Sequence, residues 1–229
     1  MFGYGSIIEF LIALVAILLA IILHELAHGY MALWQGDQTA KMRGRLSLNP
    51  ASHFDPLGFL MLIFARIGYA RPVPVNPNNF RHKKRGMILV SISGVALNLI
   101  LAFISVGFFV LFANLINVAT TNFAFNACYY MASFFNWFVI INLNLALFNL
   151  LPIYPLDGHN FLESIAGPTN KVIKFIRAWG PYILFTLFGI SMIVSATGMP
   201  FYFDPLGTYI SFVRNLIIDG YLWFWGLFV

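Results

Sequence analysis

From Ile12 to Leu23 the chain carries no polar side chain, and further apolar stretches downstream reach the roughly 20 residues that cross a bilayer core. In hydrocarbon, backbone donors and acceptors must be satisfied inside the protein, which constrains such segments to regular structure. Composition agrees. Hydrophobic residues make up 60% of the 229 residues and charged residues 9%, against about a quarter charged in a soluble domain. The expectation is an all-α polytopic membrane protein with about 4–6 transmembrane helices. Residues 1–229 read as one membrane-embedded domain, with a catalytic core over about 6–165 and C-terminal helices over about 171–229. The first segment does not read as a cleavable signal, because its apolar run is too long and its start is not basic. The net charge of +5 has no soluble basic module to sit on, so nucleic acid is not an expected partner. The lone Cys128 supplies neither a disulfide nor a thiolate cluster.

The first helix is expected over Ser6–Trp34. The polar stretch after it, with Lys41, Arg43 and Arg45, suits a short β-hairpin (Lys41–Leu48) or an extended loop. Phe54–Ala65 is apolar but short, which suits a re-entrant or interfacial segment. The prolines of Arg71–Phe80 force extended backbone. Spanning helices follow at Met87–Leu115, Ala127–Leu151 and Tyr182–Ala196, and the tail Gly207–Val229 either spans or lies in the interface. Its aromatic end suits an interfacial anchor. With the basic cluster Arg81–Arg85 placed in the cytoplasm, the amino terminus, Asn117–Asn126 and Thr197–Phe203 fall outside, and none of them holds Lys or Arg. The amino terminus is therefore expected outside and the His24–His28 end of the first helix at the cytoplasmic face.

That helix ends in His24-Glu25-Leu26-Ala27-His28. Positions i and i+4 share a helix face, so His24 and His28 can bind one ion together while Glu25 flanks it. This is the H-E-x-x-H arrangement, in which two imidazoles bind zinc and the Glu handles the proton of the attacking water. Polar capping of a helix end is the plainer reading. Yet ionisable groups at membrane depth are costly and usually functional, and this chain has only five His. One Zn2+ per chain is the expected cofactor. A catalytic zinc needs a third protein ligand. Asp157, in the Pro- and Gly-broken stretch Asn149–Gly158, is the first choice, and His159 is the rival. Glu163, at i+4 from His159, reads as a paired or solvated charge.

These two motifs together resemble the site-2 protease family of intramembrane zinc metalloproteases. Ser93–Asn98 is similar to the family's G-x-x-x-small/Asn element, and Leu48–Phe59 with Arg71–Phe80 resembles its short bacterial and archaeal members, which lack PDZ or CBS domains. The resemblance covers about residues 20–160. It implies Asp157 as a zinc ligand, Glu25 as general base, and a water-accessible site near the cytoplasmic surface of a prokaryotic cell membrane. It further implies cleavage of transmembrane protein or peptide substrates within or near the bilayer.

Asn149 and Asn98 are candidates to bind substrate backbone or orient ligands, although Asn on membrane helices is also ordinary interhelical glue. Gly94 reads as a helix-packing residue. His53, beside Asp55, forms either a local turn or a gate at the pocket mouth. Pro72–Pro77 or the hairpin is a candidate edge for an unwound substrate. The rival functions are a metal-binding transporter, which predicts ionisable groups on several helices, and an inactive membrane adaptor, which leaves Glu25 without a role. Oligomeric state and substrate identity have no signature in the sequence.

Overall fold

The structure, a computed structural model, describes residues 7–53 and 71–228. The expected re-entrant segment Phe54–Ala65 and Asp55 lie outside the described residues. The rest is helical: α1 (Ile7–Trp34), α2 (Thr39–Met42), α3 (Pro50–His53), α4 (Lys83–Val118), α5 (Asn122–Asn149), α6 (Asp157–Ala166), α7 (Lys171–Thr197) and α8 (Pro205–Gly226), with short 3-10 turns at Pro77–Asn79 and Phe201–Phe203. Among the described residues four helices, α1, α4, α5 and α7, are long and apolar enough to cross a membrane. The all-α polytopic expectation holds.

α4 is the central helix, packed against α1, α5, α6 and α8. The sequence explains how it can be. α1 buries Ala13, Ala16, Ala20, His24 and His28, a set spaced three or four residues apart and therefore on one face. α4 buries Ser91, Gly94, Asn98, Ala102 and Ser105 at the same kind of spacing. Lipid offers no hydrophobic drive for helices to associate, so small residues that let backbones approach supply the packing. Ala16 and Ala20 pack with Phe138 and Ile141 of α5, and Ala102 and Val106 pack with Val139 and Leu143. The alanine face of α1 thus points the two histidines into the bundle.

Several expectations change. The hairpin does not form: Thr39–Met42 is a helical turn, and 43–49 continues without a strand. Asp37 is the physical reason. Buried just before the turn, it accepts from Thr39 N at 3.0 Å and Thr39 Oγ1 at 2.5 Å, which starts a helical turn where the alternating pattern suggested a strand. α4 begins at Lys83 rather than Met87 and takes in most of the basic cluster. Its 36 residues extend about 54 Å, longer than a bilayer core, so its charged first turn can lie at the interface. α5 starts early because the Thr121 hydroxyl accepts from Ala124 N at 3.1 Å, an N-cap. α7 starts at Lys171 and runs through Pro181. α8 docks on the bundle: Trp225 Nε1 donates to the Phe103 carbonyl at 2.9 Å, and Arg214 reaches Asn144 Oδ1 at 3.2 Å. The aromatic tail therefore puts Trp225 against α4 and leaves Trp223, Phe224 and Phe228 exposed.

Candidate metal centre

α1 delivers His24 and His28 one turn apart, both buried. The third group comes from the break after α5. Pro152 and Pro155 cannot continue the helix, and the chain turns through Leu151–Leu156 into α6, whose first residue is Asp157. A carboxylate suits the positive end of a helix. Gly158 is required there for a reason other than turn freedom, since its backbone angles are ordinary. A Cβ at 158 would overlap the carbonyl oxygens of Leu150 and Leu151. Only glycine lets α6 fold back this closely over the end of α5.

The three side chains close a nearly equilateral triangle. His24 Nε2 and His28 Nε2 each lie 3.2 Å from Asp157 Oδ2 and 3.1 Å from each other. Three corners of a tetrahedron around zinc, with bonds near 2.0–2.1 Å, lie about 3.3 Å apart, so the donor set fits a zinc ion in both chemistry and spacing. His28 Nδ1 donates to the Val90 carbonyl at 2.7 Å. That fixes its tautomer and leaves the Nε2 lone pair facing the other two groups, the usual arrangement of a metal-binding imidazole.

Gly94 of α4 is the floor under this group. A Cβ there would stand 2.5 Å from His24 Cε1 and 2.6 Å from His28 Nε2. The two ligand rings occupy the space its missing side chain leaves. Sequence alone marked Gly94 as a helix-packing residue, and its contact with both rings emerges only from the fold.

His24, Glu25, His28 and Asp157 line one open cavity of about 440 Å3, with Asn149, Asn160, Phe80 and the Pro72–Pro77 segment on its walls. Val73 N donates to Glu25 Oε2 at 2.9 Å, so an extended strap of the chain rests on the carboxylate. The strap is fixed further along, where Asp37 Oδ2 accepts from Asn76 N at 2.7 Å and Asp37 Oδ1 from Asn79 Nδ2 at 2.8 Å. Neither Val73 nor Asp37 had a sequence signal.

The other expected site residues separate. Asn149 lines the cavity and spends its amide on the Leu145 carbonyl at 3.0 Å, which leaves its oxygen as the acceptor. Asn98 is fully buried in the bundle and does not line the cavity. His53 is buried, with Nε2 at 2.8 Å from the Ser47 carbonyl, away from the cavity walls. The rival ligand His159 is fully buried at 3.4 Å from Glu163 and stands outside the triangle, while Glu163 pairs with Arg177. Burial lowers the His159 imidazole, only partly offset by Glu163.

Residues 12–190 match the family model described as peptidase family M50. The chain belongs to peptidase family M50. Among curated proteins, this M50 member is 42% identical over 187 residues to a Bacillus subtilis protein named "Putative zinc metalloprotease YwhC", covering 76% of this chain and 84% of the relative. It is 30% identical over 183 residues to "Putative zinc metalloprotease Rip2" of Mycolicibacterium smegmatis, covering 78% and 66%. The Mycobacterium tuberculosis protein of the same name is 29% identical over 185 residues, covering 78% and 67%. No solved structure matches significantly. The M50 chain is thus a zinc metalloprotease of the site-2 protease type, with zinc as its cofactor and membrane-crossing helices as its frame.

Proposed function

We propose that this protein is an intramembrane metalloendopeptidase that hydrolyses peptide bonds of transmembrane proteins or peptides within or near the bilayer of a prokaryotic cell. His24, His28 and Asp157 hold the zinc and Glu25 is the general base. The observation that carries this reading is the donor triangle, with sides of 3.1–3.2 Å, opening into the same cavity as Glu25. Bound zinc supplies Lewis-acid polarisation of water and of the scissile carbonyl. Glu25 takes the proton of the attacking water at a carboxylate oxygen and returns it to the departing amine. Val73 N–H occupies Glu25 Oε2, which leaves Oε1 as the oxygen that takes the proton. Asn149 offers its side-chain oxygen to a substrate N–H. The 1–229 domain then divides into a catalytic core over about 6–165 and C-terminal helices whose Trp225 and Tyr221 brace α4.

Orientation follows from charge: the site faces the cytoplasm and the amino terminus lies outside. The deciding experiment is cleavage of a panel of single-span substrates in proteoliposomes, with zinc content measured on the same samples. Wild type is expected to cleave within or beside the span, and Glu25→Gln to retain zinc without cleaving. Zinc-loaded wild type that cleaves soluble peptides and no membrane-inserted substrate would overturn the intramembrane assignment.

A further inference from the structure

Beside the catalytic cavity, and sharing Pro72 with it, lies a second cavity of about 230 Å3 lined by Arg43, Arg45, Arg71, Pro72 and Pro74. Three arginines line it, and no carboxylate is among the described lining residues. The site is held rigidly. Arg45 Nη2 donates to the carbonyls of Arg71 at 2.6 Å and Pro72 at 3.2 Å, which ties the loop to the strap. Both are seated on α1 at Gly29, where a Cβ would meet Leu46 Cδ2 at 2.5 Å and Val73 Cγ1 at 3.0 Å. Arg45 Nε is buried and has no hydrogen-bond partner among the described residues. A buried cationic donor without a partner is costly. Burial and the crowding of Arg71 lower the Arg45 guanidinium, and the Glu25 carboxylate offsets this only in part.

An anion in the cavity relieves the crowding of like charges, and guanidiniums match phosphate through paired hydrogen bonds. The surroundings indicate where that phosphate comes from. The arginines stand just beyond the end of a membrane-spanning helix. Met42 and Leu48, on either side of Arg43 and Arg45, are 77% and 62% exposed. Exposed apolar side chains interleaved with arginines at a helix end mark the headgroup level of a bilayer. We propose that Arg43, Arg45 and Arg71 form a binding site for the phosphate of an anionic phospholipid headgroup.

The test is lipid binding by the full-length protein in neutral detergent, read by native mass spectrometry. Phosphatidylglycerol, phosphatidylcholine and inorganic phosphate serve as separate probes. The key variant is Arg43→Gln with Arg71→Gln, both exposed positions, leaving Arg45 to hold the strap. The control is Lys84→Gln with Arg85→Gln, which removes the same charge from another exposed site. Wild type is expected to retain one phosphatidylglycerol in preference to phosphatidylcholine. At about fivefold per basic residue, the Arg43/Arg71 variant should bind it about 30-fold more weakly, and the control variant should match wild type. A helical melting curve verifies folding, and Arg43→Gln alone repeats the test should the double variant fail it. Equal binding by wild type and variant, or an equal loss in the control, overturns the proposal. Inorganic phosphate bound as tightly as the lipid, with the same dependence on Arg43 and Arg71, would reassign the site to free phosphate and overturn the headgroup.

Discussion

Gly94→Ala is the sharpest perturbation the metal centre offers, because it adds one methyl group and no chemistry. The new Cβ would stand 2.5 Å and 2.7 Å from His24 ring atoms and 2.6 Å from His28 Nε2. Ordinary contact distances are about 3.5–4.0 Å, so each ring must retreat by about 1 Å or α1 must move off α4 by as much. Asp157 is carried by α6 and does not follow, so the triangle opens on the two histidine corners. Metal sites tolerate only about 0.2 Å in bond length. Lost ligand orientation typically costs 10–100-fold in metal affinity, about 1.4–2.8 kcal/mol, and this displacement should reach at least the upper end. The assay is competition against a chromogenic zinc chelator on metal-free, detergent-purified protein, with a helical melt run in parallel. Gly189→Ala, on spanning helix α7 with nothing within 4 Å of its Cβ, should bind zinc like wild type. A Gly94→Ala protein with wild-type affinity would refute the claim that the ligand rings rest on Gly94.

Glu25→Gln should leave zinc affinity within a few-fold of wild type and reduce cleavage by about 10²–10⁴-fold; comparable losses of both would make Glu25 a structural residue. Asp157→Ala should lose stoichiometric zinc in metal analysis, whereas His159→Ala should keep it, and the reverse pattern would reassign the third ligand. Asp37 is held below the usual carboxylate range: burial pushes it up, but the Asn76 N–H, the Thr39 hydroxyl and the Asn79 amide outweigh that. A depressed folded pKa stabilises fully above about pH 4 and loses that contribution as pH falls through it. Asp37→Asn should therefore melt below wild type near neutrality, by an amount reflecting about 1.5–3 kcal/mol, and the gap should narrow below about pH 4; a gap that does not change with pH would contradict the assignment.

What the sequence discloses here is what is local. Spans show because hydropathy is summed over neighbours, and His24 with His28 because four residues make a helical turn. Asp157 shows because prolines and a glycine mark where a helix must stop. Helix ends depart from the sequence pattern where a rule has a local exception: Lys83–Arg85 form the first turn of α4, and Pro181 is accommodated within α7. The parts with no signature join distant segments. Val73 and Glu25 are 48 residues apart, and Asp37 and Asn79 are 42 apart. No periodicity encodes such a pairing. Gly94 lies between: its identity was visible, but its role depends on which face of α1 it meets.

The strap over Glu25 bears on how a substrate would be read. Between 72 and 77, three of six residues are prolines without an N–H. Val73 N–H is given to Glu25 and Asn76 N–H to Asp37, and the carbonyl of Pro72 is taken by Arg45. Asn76 and Pro77 give their carbonyls to Asn79 N–H and Phe80 N–H, which leaves the carbonyls of Val73, Pro74 and Val75 and little to offer in return beyond Val75 N–H. The strap is therefore a ledge that receives donors more than it gives them, not the evenly matched edge an added β-strand would want. A peptide still coiled in a helix keeps its N–H groups on its own carbonyls and has nothing to place there. In the proposed reaction, one that has frayed would arrive with its donors free, so the ledge would favour the polypeptide already unwound enough to be cut.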